Sequence, residues 1–328
     1  MTNRKDSLLS AIDLKNGKGL ELGPLCWPLV LKNEANIKYV DHVSTSELKK
    51  IYSNDAGVNL NQIVEVDFPL NGRTLHQTVG DAIPYDYIIA SHVIEHVPDI
   101  VGWLQDISSV LKVNGIVSLA IPDKRYTFDI DREDSTPGDV VGAYFDEYKR
   151  PSSSTLFDYA SKFRLNIDSE KVWSGELYLE STAPPRYSLK QASELCLENK
   201  KHYVDAHCFV FTPYSFFEIL RVLIELELTD FKVHSFNATE VGAYEFIVSL
   251  QKVRKNIGKK SQLHSLPKLS RPLLSRESEA KIQRLELSEQ SLGNDLRQTR
   301  KELNRILKSK SWRYTRPMRF ILQLVSKH

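Results

Sequence analysis

Between residues 86 and 123, apolar runs alternate with polar breaks at intervals that define three elements. Residues 86–90 are rich in β-branched and aromatic side chains and are bounded by Pro84 and Ser91, which predicts a buried strand. Ile100, Val101, Leu104, Ile107, Val110 and Leu111 recur at steps of three and four, so an amphipathic helix is expected over 100–111. Asn114-Gly115 is expected to stop it, and 116–121 reads as a second buried strand. Ser91, His92, Glu95, His96 and Asp123 fall where these strands end, and open parallel sheets bind ligands at that edge.

The same pattern extends to both sides. Short apolar runs at 18–22, 37–40 and 62–66 predict three more strands, ending at Gly23-Pro24, Asp41 and Asp67, with a short helix over 46–52. From 124 to about 205 the periodicity is lost. Local helices covering a site are expected there, because a structureless segment of that length is unusual in a compact domain. Thr212 is placed to cap a helix that has Pro213 at its first position. FKVHSFNAT and YEFIVSLQK then read as an antiparallel hairpin. Strands alternating with helices predict an α/β doubly wound, Rossmann-like sheet.

Past residue 252 the pattern changes. A polar, basic linker is expected over 253–275. Ile282, Leu285, Glu289, Leu292, Leu296, Thr299, Leu303 and Ile306 then fall on a heptad seam, which predicts a coiled-coil helix over 276–309. The residues 310–328, SWRYTRPMRFILQLVSKH preceded by Lys310, interleave aromatic and aliphatic side chains with Arg and Lys, as in a basic amphipathic element at a membrane surface.

Charge sharpens this division. The net charge of +2 conceals 24 basic against 36 acidic residues in 1–250, and 20 against 6 in 251–328. The acidic first part argues against a nucleic-acid substrate, and the basic second part suggests an anionic partner. Cys26, Cys196 and Cys208 lack metal or redox spacing, so reduced thiols are expected. With no long apolar span and no secretory leader pattern, a cytoplasmic protein is expected, peripheral at the inner membrane face if the tail binds there.

GLELGP, YVDH, VDFPL, IIASHVIEHVPD, LKVNGIVSLAIPD and the terminal hairpin, in that order, resemble a class I S-adenosylmethionine-dependent methyltransferase, of the type found with bacterial surface-polysaccharide clusters. The resemblance covers roughly residues 17–252 and departs from the family in its first motif, where GxGxG becomes GPLCWP. It implies a seven-stranded sheet ending in an antiparallel hairpin. It also implies S-adenosylmethionine as cofactor, held by Glu21, Gly23 and Pro24 at the amino-acid end, Asp41 at the ribose, Asp67 near the adenine, and Ser91 with His92 beside the sulfonium. The acceptor it implies is a sugar hydroxyl on a lipid- or nucleotide-linked glycan. His92, Asp123 and His207 are candidate bases, and Arg125, Asp129 and Arg132 are candidates to grip a sugar or phosphate.

Two other readings stand beside this one. His92-Val93-Ile94-Glu95-His96 fits H-x-x-E-H, a zinc hydrolase signature, although no metal is expected because His92 follows a strand directly and Pro98 interrupts the turn beyond. SKSWRYTRPMR resembles endings on glycosyltransferases and related proteins, which suggests a catalytically degenerate scaffold, with homo-oligomers or a glycosyltransferase partner meeting the coiled coil.

Overall fold

The computed structural model describes residues 4–174, 185–254, 259–270 and 276–308. Residues 4–271 contain a seven-stranded sheet: β1 (Lys18–Leu22), β2 (Asn36–Asp41), β3 (Phe68–Pro69), β4 (Tyr85–Ser91), β5 (Leu111–Pro122), β6 (Phe231–Asn237) and β7 (Glu245–Lys252). The order is β3-β2-β1-β4-β5-β7-β6. Pairing is parallel from β3 to β5, and β7 runs antiparallel to both β5 and β6. Chain order therefore reverses between β1 and β4, which opens a crevice at their carboxyl ends. This is the α/β Rossmann-like sheet that the hydrophobic pattern implied, with the seven strands and closing antiparallel hairpin that the resemblance implied.

One face of the sheet is closed by helices. α4 (Ile100–Val110) contributes Val101, Leu104 and Ile107, and α9 (Pro213–Glu225) contributes Phe216, Ile219, Leu220 and Leu223, all buried with Ile88, Leu119 and Val248 of the strands. On the other face Tyr39, Tyr87, Ile89 and Ile116 pack under Leu9, Ile12, Leu29 and Val30. Tyr87 lies flat across β1, and a side chain at Gly19 would meet its ring at 2.0 Å. Glycine is therefore required at that position for a steric reason.

Several expectations change here. The strand expected over 62–66 is irregular chain. Val64 N donates to Leu25 O and Val66 N to Thr45 Oγ1, so no ladder forms until β3. The helix before β5 ends at Val110, and Leu111 already pairs with Tyr85, so Asn114-Gly115 lies inside β5, with Asn114 at φ +69°.

The segment over 124–205 folds into α5 (Pro137–Phe145), α6 (Ser153–Lys162), α7 (Ser169–Ser174) and α8 (Leu189–Asn199), with α6 and α8 packed together. Within the linker expected over 253–275 lies a short helix. α10 (Lys259–His264) belongs to the compact unit, because buried Gln262 donates to Thr229 O at 3.2 Å and Phe231 O at 2.9 Å. That unit runs to Arg271, and a second begins at Pro272. The second unit contains α11, which spans Arg276–Lys308; the tail at 310–328 lies outside the described residues. No described helix is long and apolar enough to cross a membrane.

Candidate active site

The carboxyl ends of β1, β2, β4 and β5 place Gly23, Asp41, Ser91, His92 and Asp123 along one edge. Gly23 has φ +62°, its N–H donates to Val40 O at 2.9 Å, and Pro24 starts the turn that returns to Trp27. Glu21 is 3 % exposed and accepts from Leu29 N at 2.6 Å and Val30 N at 3.3 Å. Burial pushes its carboxyl up to about 7 despite those two bonds. Asp41 accepts from His42 N and pairs with His42 Nδ1, both at 2.7 Å and both through Oδ1, which raises the imidazole pKa. Among the described residues Oδ2 has no hydrogen-bond partner, which leaves an acceptor at the strand end where the resemblance implies a ribose.

Asp67 does not fit its expected place. Its oxygens are taken by Lys32 at 2.7 Å, Lys38 at 3.0 Å and Tyr39 N at 2.8 Å, which ties it to β2. His92 has φ +54°, a costly conformation for a side chain of this size, and it is held by Glu245, whose Oε2 lies 2.7 Å from His92 Nε2. Arg4 reaches both Glu245 and Ser91 Oγ, the latter at 2.6 Å. Burial alone would raise the Glu245 carboxyl, but the bonds from His92 and Arg4 outweigh it and hold the pKa down. His92 is thus clamped in the pocket wall.

Asp123 is fully buried. Arg125 Nε and Nη2 grip it at 2.9 and 2.7 Å, and Thr239 Oγ1 donates at 2.7 Å. Those contacts make it an anchor between the loop after β5 and the β6–β7 connection, with no oxygen directed at an acceptor. Asp129 and Arg132, expected to face a ligand, are 2 % and 3 % exposed and face one another at 2.9 Å. Arg132 also donates to His207 O at 3.0 Å.

What that buried pair supports is His207, whose Nδ1 lies 2.5 Å from Asp129 Oδ2. Burial opposes ionisation of Asp129, yet His207 and Arg132 keep its pKa below the ordinary value. Beside it, His96 Nδ1 meets Asp205 Oδ1 at 3.0 Å. The His96 and His207 rings sit edge to face at 4.7 Å. Glu95 completes the group, 1 % exposed, with its backbone carbonyl accepting from Cys208 N and Phe209 N. Burial pushes the neighbouring Cys208 thiol up to about 12, and all three cysteines are free.

The comparisons with known proteins agree with this arrangement. Residues 9–164 match the family model of a methyltransferase domain. That stretch carries Gly23, Asp41, Ser91 and His92, and it includes the strands β1 to β5. Just under half of the chain is therefore similar to a methyltransferase domain. Similar solved structures include an S-adenosylmethionine-dependent methyltransferase from Methanosarcina mazei, at 13 % identity over 74 % of this chain and 95 % of that one, with a TM-score of 0.36. Another is magnesium protoporphyrin IX methyltransferase from Synechocystis with bound S-adenosylhomocysteine, at 11 % identity over 76 % and 80 %, with a TM-score of 0.32. No curated protein matches the sequence.

S-adenosylmethionine is the cofactor that the sequence resemblance implies, and Gly23, Asp41 and Ser91 lie together on the strand edge where that resemblance puts it. A side chain at Gly23 would meet Val93 Cγ2 at 3.1 Å, and the φ of +62° at that position favours glycine. Buried Glu21 braces the loop that follows. The H-x-x-E-H signature lacks its helix: residues Ile94–His96 make a single 3-10 turn, and His92 is directed to Glu245. Sequence reasoning missed Glu245, Arg4 and Asp205, which act through partners 153, 241 and 109 residues away. It singled out Asp129 and Arg132 but misread their role. Their i,i+3 spacing, followed by a remote histidine before a capped helix, was the available signal.

Proposed function

We propose that this methyltransferase methylates a sugar hydroxyl of a surface polysaccharide, or of its lipid- or nucleotide-linked intermediate. The observation that carries the reading is the Arg132–Asp129–His207 relay beside Glu95 and His96, at the strand edge that also holds Ser91 and His92. When bound, S-adenosylmethionine supplies an electrophilic methyl group. Asp41 orients its ribose side and the clamped His92 walls the pocket. Asp129 fixes the tautomer of His207, so that Nε2 is the nitrogen turned toward an acceptor. The acceptor proton leaves through the cluster around His207, and the helices α5 to α8 cover that side of the crevice. Positioning an oxygen at attack distance supplies much of the acceleration of a methyl transfer.

The sugar assignment is supported by the motif order and by the resemblance of the SKSWRYTRPMR ending to polysaccharide proteins. Self-association through α11 and contact of the basic tail with an anionic membrane surface complete the reading. The test is incubation of the purified protein with labelled S-adenosylmethionine and glycan fractions from its source, followed by mass analysis of sugars. A methylated sugar is expected. His207→Gln should lower turnover by about 10²–10⁴-fold with cofactor affinity unchanged, whereas Asp41→Ala should weaken cofactor binding itself. Label appearing only in protein or nucleic acid would sink the sugar assignment.

A further inference from the structure

Glu95 is the least satisfied charged group among the described residues. It is 1 % exposed, and neither Oε1 nor Oε2 has a hydrogen-bond partner. His92 Nδ1 lies 3.5 Å from Oε1, and that ring is already engaged by Glu245 through Nε2. A buried carboxylate without partners costs several kcal/mol unless a compensating charge is supplied. One ligand atom each of Glu95, His96 and His207 lie within 4.8 Å of one another. Tetrahedral zinc sets its ligands about 3.3 Å apart, given bonds of about 2.0–2.1 Å. Small side-chain rotations would close the group on an ion.

We propose that Glu95, His96 and His207 form a binding site for a divalent cation of the zinc class, which holds and activates the acceptor oxygen. Three features carry this beyond proximity. A carboxylate takes Nδ1 of each histidine, Asp129 for His207 at 2.5 Å and Asp205 for His96 at 3.0 Å, which leaves Nε2 of each ring as the nitrogen to ligate an ion. Outer carboxylates of this kind orient ligating imidazoles and raise their basicity. The donor set, two imidazoles and one carboxylate, is that of three-ligand catalytic zinc, which leaves a fourth position open. His96 is half-buried and Asp205 largely exposed, so a path from solvent reaches the otherwise buried cluster.

The chemistry follows from that open position. With the cation bound, His207 Nε2 is a ligand and takes no proton, so the cation replaces His207 in the role of base: an acceptor hydroxyl bound at the open position loses its proton to solvent as the cation stabilises the alkoxide. Its oxygen then forms the O–CH3 bond while the S–CH3 bond breaks, and the electron pair of that bond stays on sulfur, leaving S-adenosylhomocysteine. The set that forms this site is distinct from H-x-x-E-H, since His207 replaces His92.

The role given to the cation rests on the acceptor lying beside His207, but the site itself can be tested without any acceptor. The full chain is stripped with chelator, dialysed and titrated with zinc chloride by calorimetry, with metal content measured in parallel; cobalt(II) loading reports coordination by its visible spectrum. One zinc per chain and an intense tetrahedral cobalt spectrum are expected. Glu95→Gln, His96→Ala and His207→Ala should each lower zinc affinity at least about 30-fold, and Asp129→Asn and Asp205→Asn about 10–100-fold. His92→Gln should keep stoichiometric zinc. Circular dichroism confirms that each variant is folded, and His96→Gln serves should His96→Ala fail. No stoichiometric zinc in the wild type, or zinc retained by both His96 and His207 variants, overturns the site. S-adenosylmethionine affinity measured on the stripped protein separates that failure from failure of the methyltransferase reading. Glycan methylation at full rate by the stripped protein would overturn the activating role.

Discussion

The clearest local conflict lies at Glu21, where a carboxylate sits on a buried strand end. Two backbone N–H bonds favour the ionised form, but burial dominates and the group titrates at about 7 against an ordinary 4.5. The folded state therefore binds the proton more tightly than the unfolded chain does. Stability from this residue is fully present below pH 4.5 and is lost as pH rises through about 7, by about 3 kcal/mol in all. Glu21→Gln removes the titration. Urea unfolding of both proteins without cofactor at pH 5 and pH 8 should show the wild type losing its relative advantage by about that amount. A constant difference between the two pH values would show that Glu21 is solvated. The residue was legible as a strand-end acid, since Leu20 and Leu22 flank it. Its bonds to Leu29 and Val30 were not, because they depend on how the GPLCWP turn folds back.

At the scale of elements, legibility followed locality. The start of α9 was readable because its determinants lie within four residues: Thr212 Oγ1 accepts from Ser215 N at 3.2 Å, Ser215 Oγ accepts from Thr212 N at 2.9 Å, and Pro213 needs no N–H partner. β3 was misplaced and α10 missed because each is defined by a remote partner, β2 in one case and the carbonyls of Thr229 and Phe231 in the other. Polar composition alone made the α10 segment look like linker. The cap of α9 also has a tertiary role, since Thr212 Oγ1 lies 3.1 Å from Asp134 Oδ2 in the segment that covers the site. Thr212→Ala should therefore cost about 1–2 kcal/mol, measured as a lower urea midpoint with unchanged slope. Thr212→Ser keeps the hydroxyl and should recover most of it. An equal loss in both variants would assign the effect to the missing methyl group instead.

At the scale of the whole molecule, the division between an acidic catalytic unit and a basic second unit was plain in the charge pattern, and its boundary fell at Arg271–Pro272 because α10 docks on the first unit. α11 has its own requirement. Leu292, Leu296 and Leu303 occupy seam positions, with Thr299 between the last two, and are 65 %, 70 % and 52 % exposed in a single chain. Each leucine fully buried against a second helix contributes about 1.5–3 kcal/mol, and a 33-residue helix carries enough seam for a short coiled coil. The polar seam positions Glu289 and Thr299 weaken the pairing and help to fix its register. Leu292→Glu with Leu296→Glu places like charges at those positions in every partner chain. It should weaken self-association on the order of 100-fold or more, since 1.4 kcal/mol is a factor of ten. Sedimentation of the full chain should then show monomer for the double variant where the wild type forms oligomer. Deletion of 276–328 should give the same monomer with S-adenosylmethionine affinity intact, because Gly23, Asp41 and His92 all lie in the first unit. An oligomer that persists in both proteins would move the interface onto the catalytic unit. Cofactor binding lost with the deletion would show that the two units do not function separately.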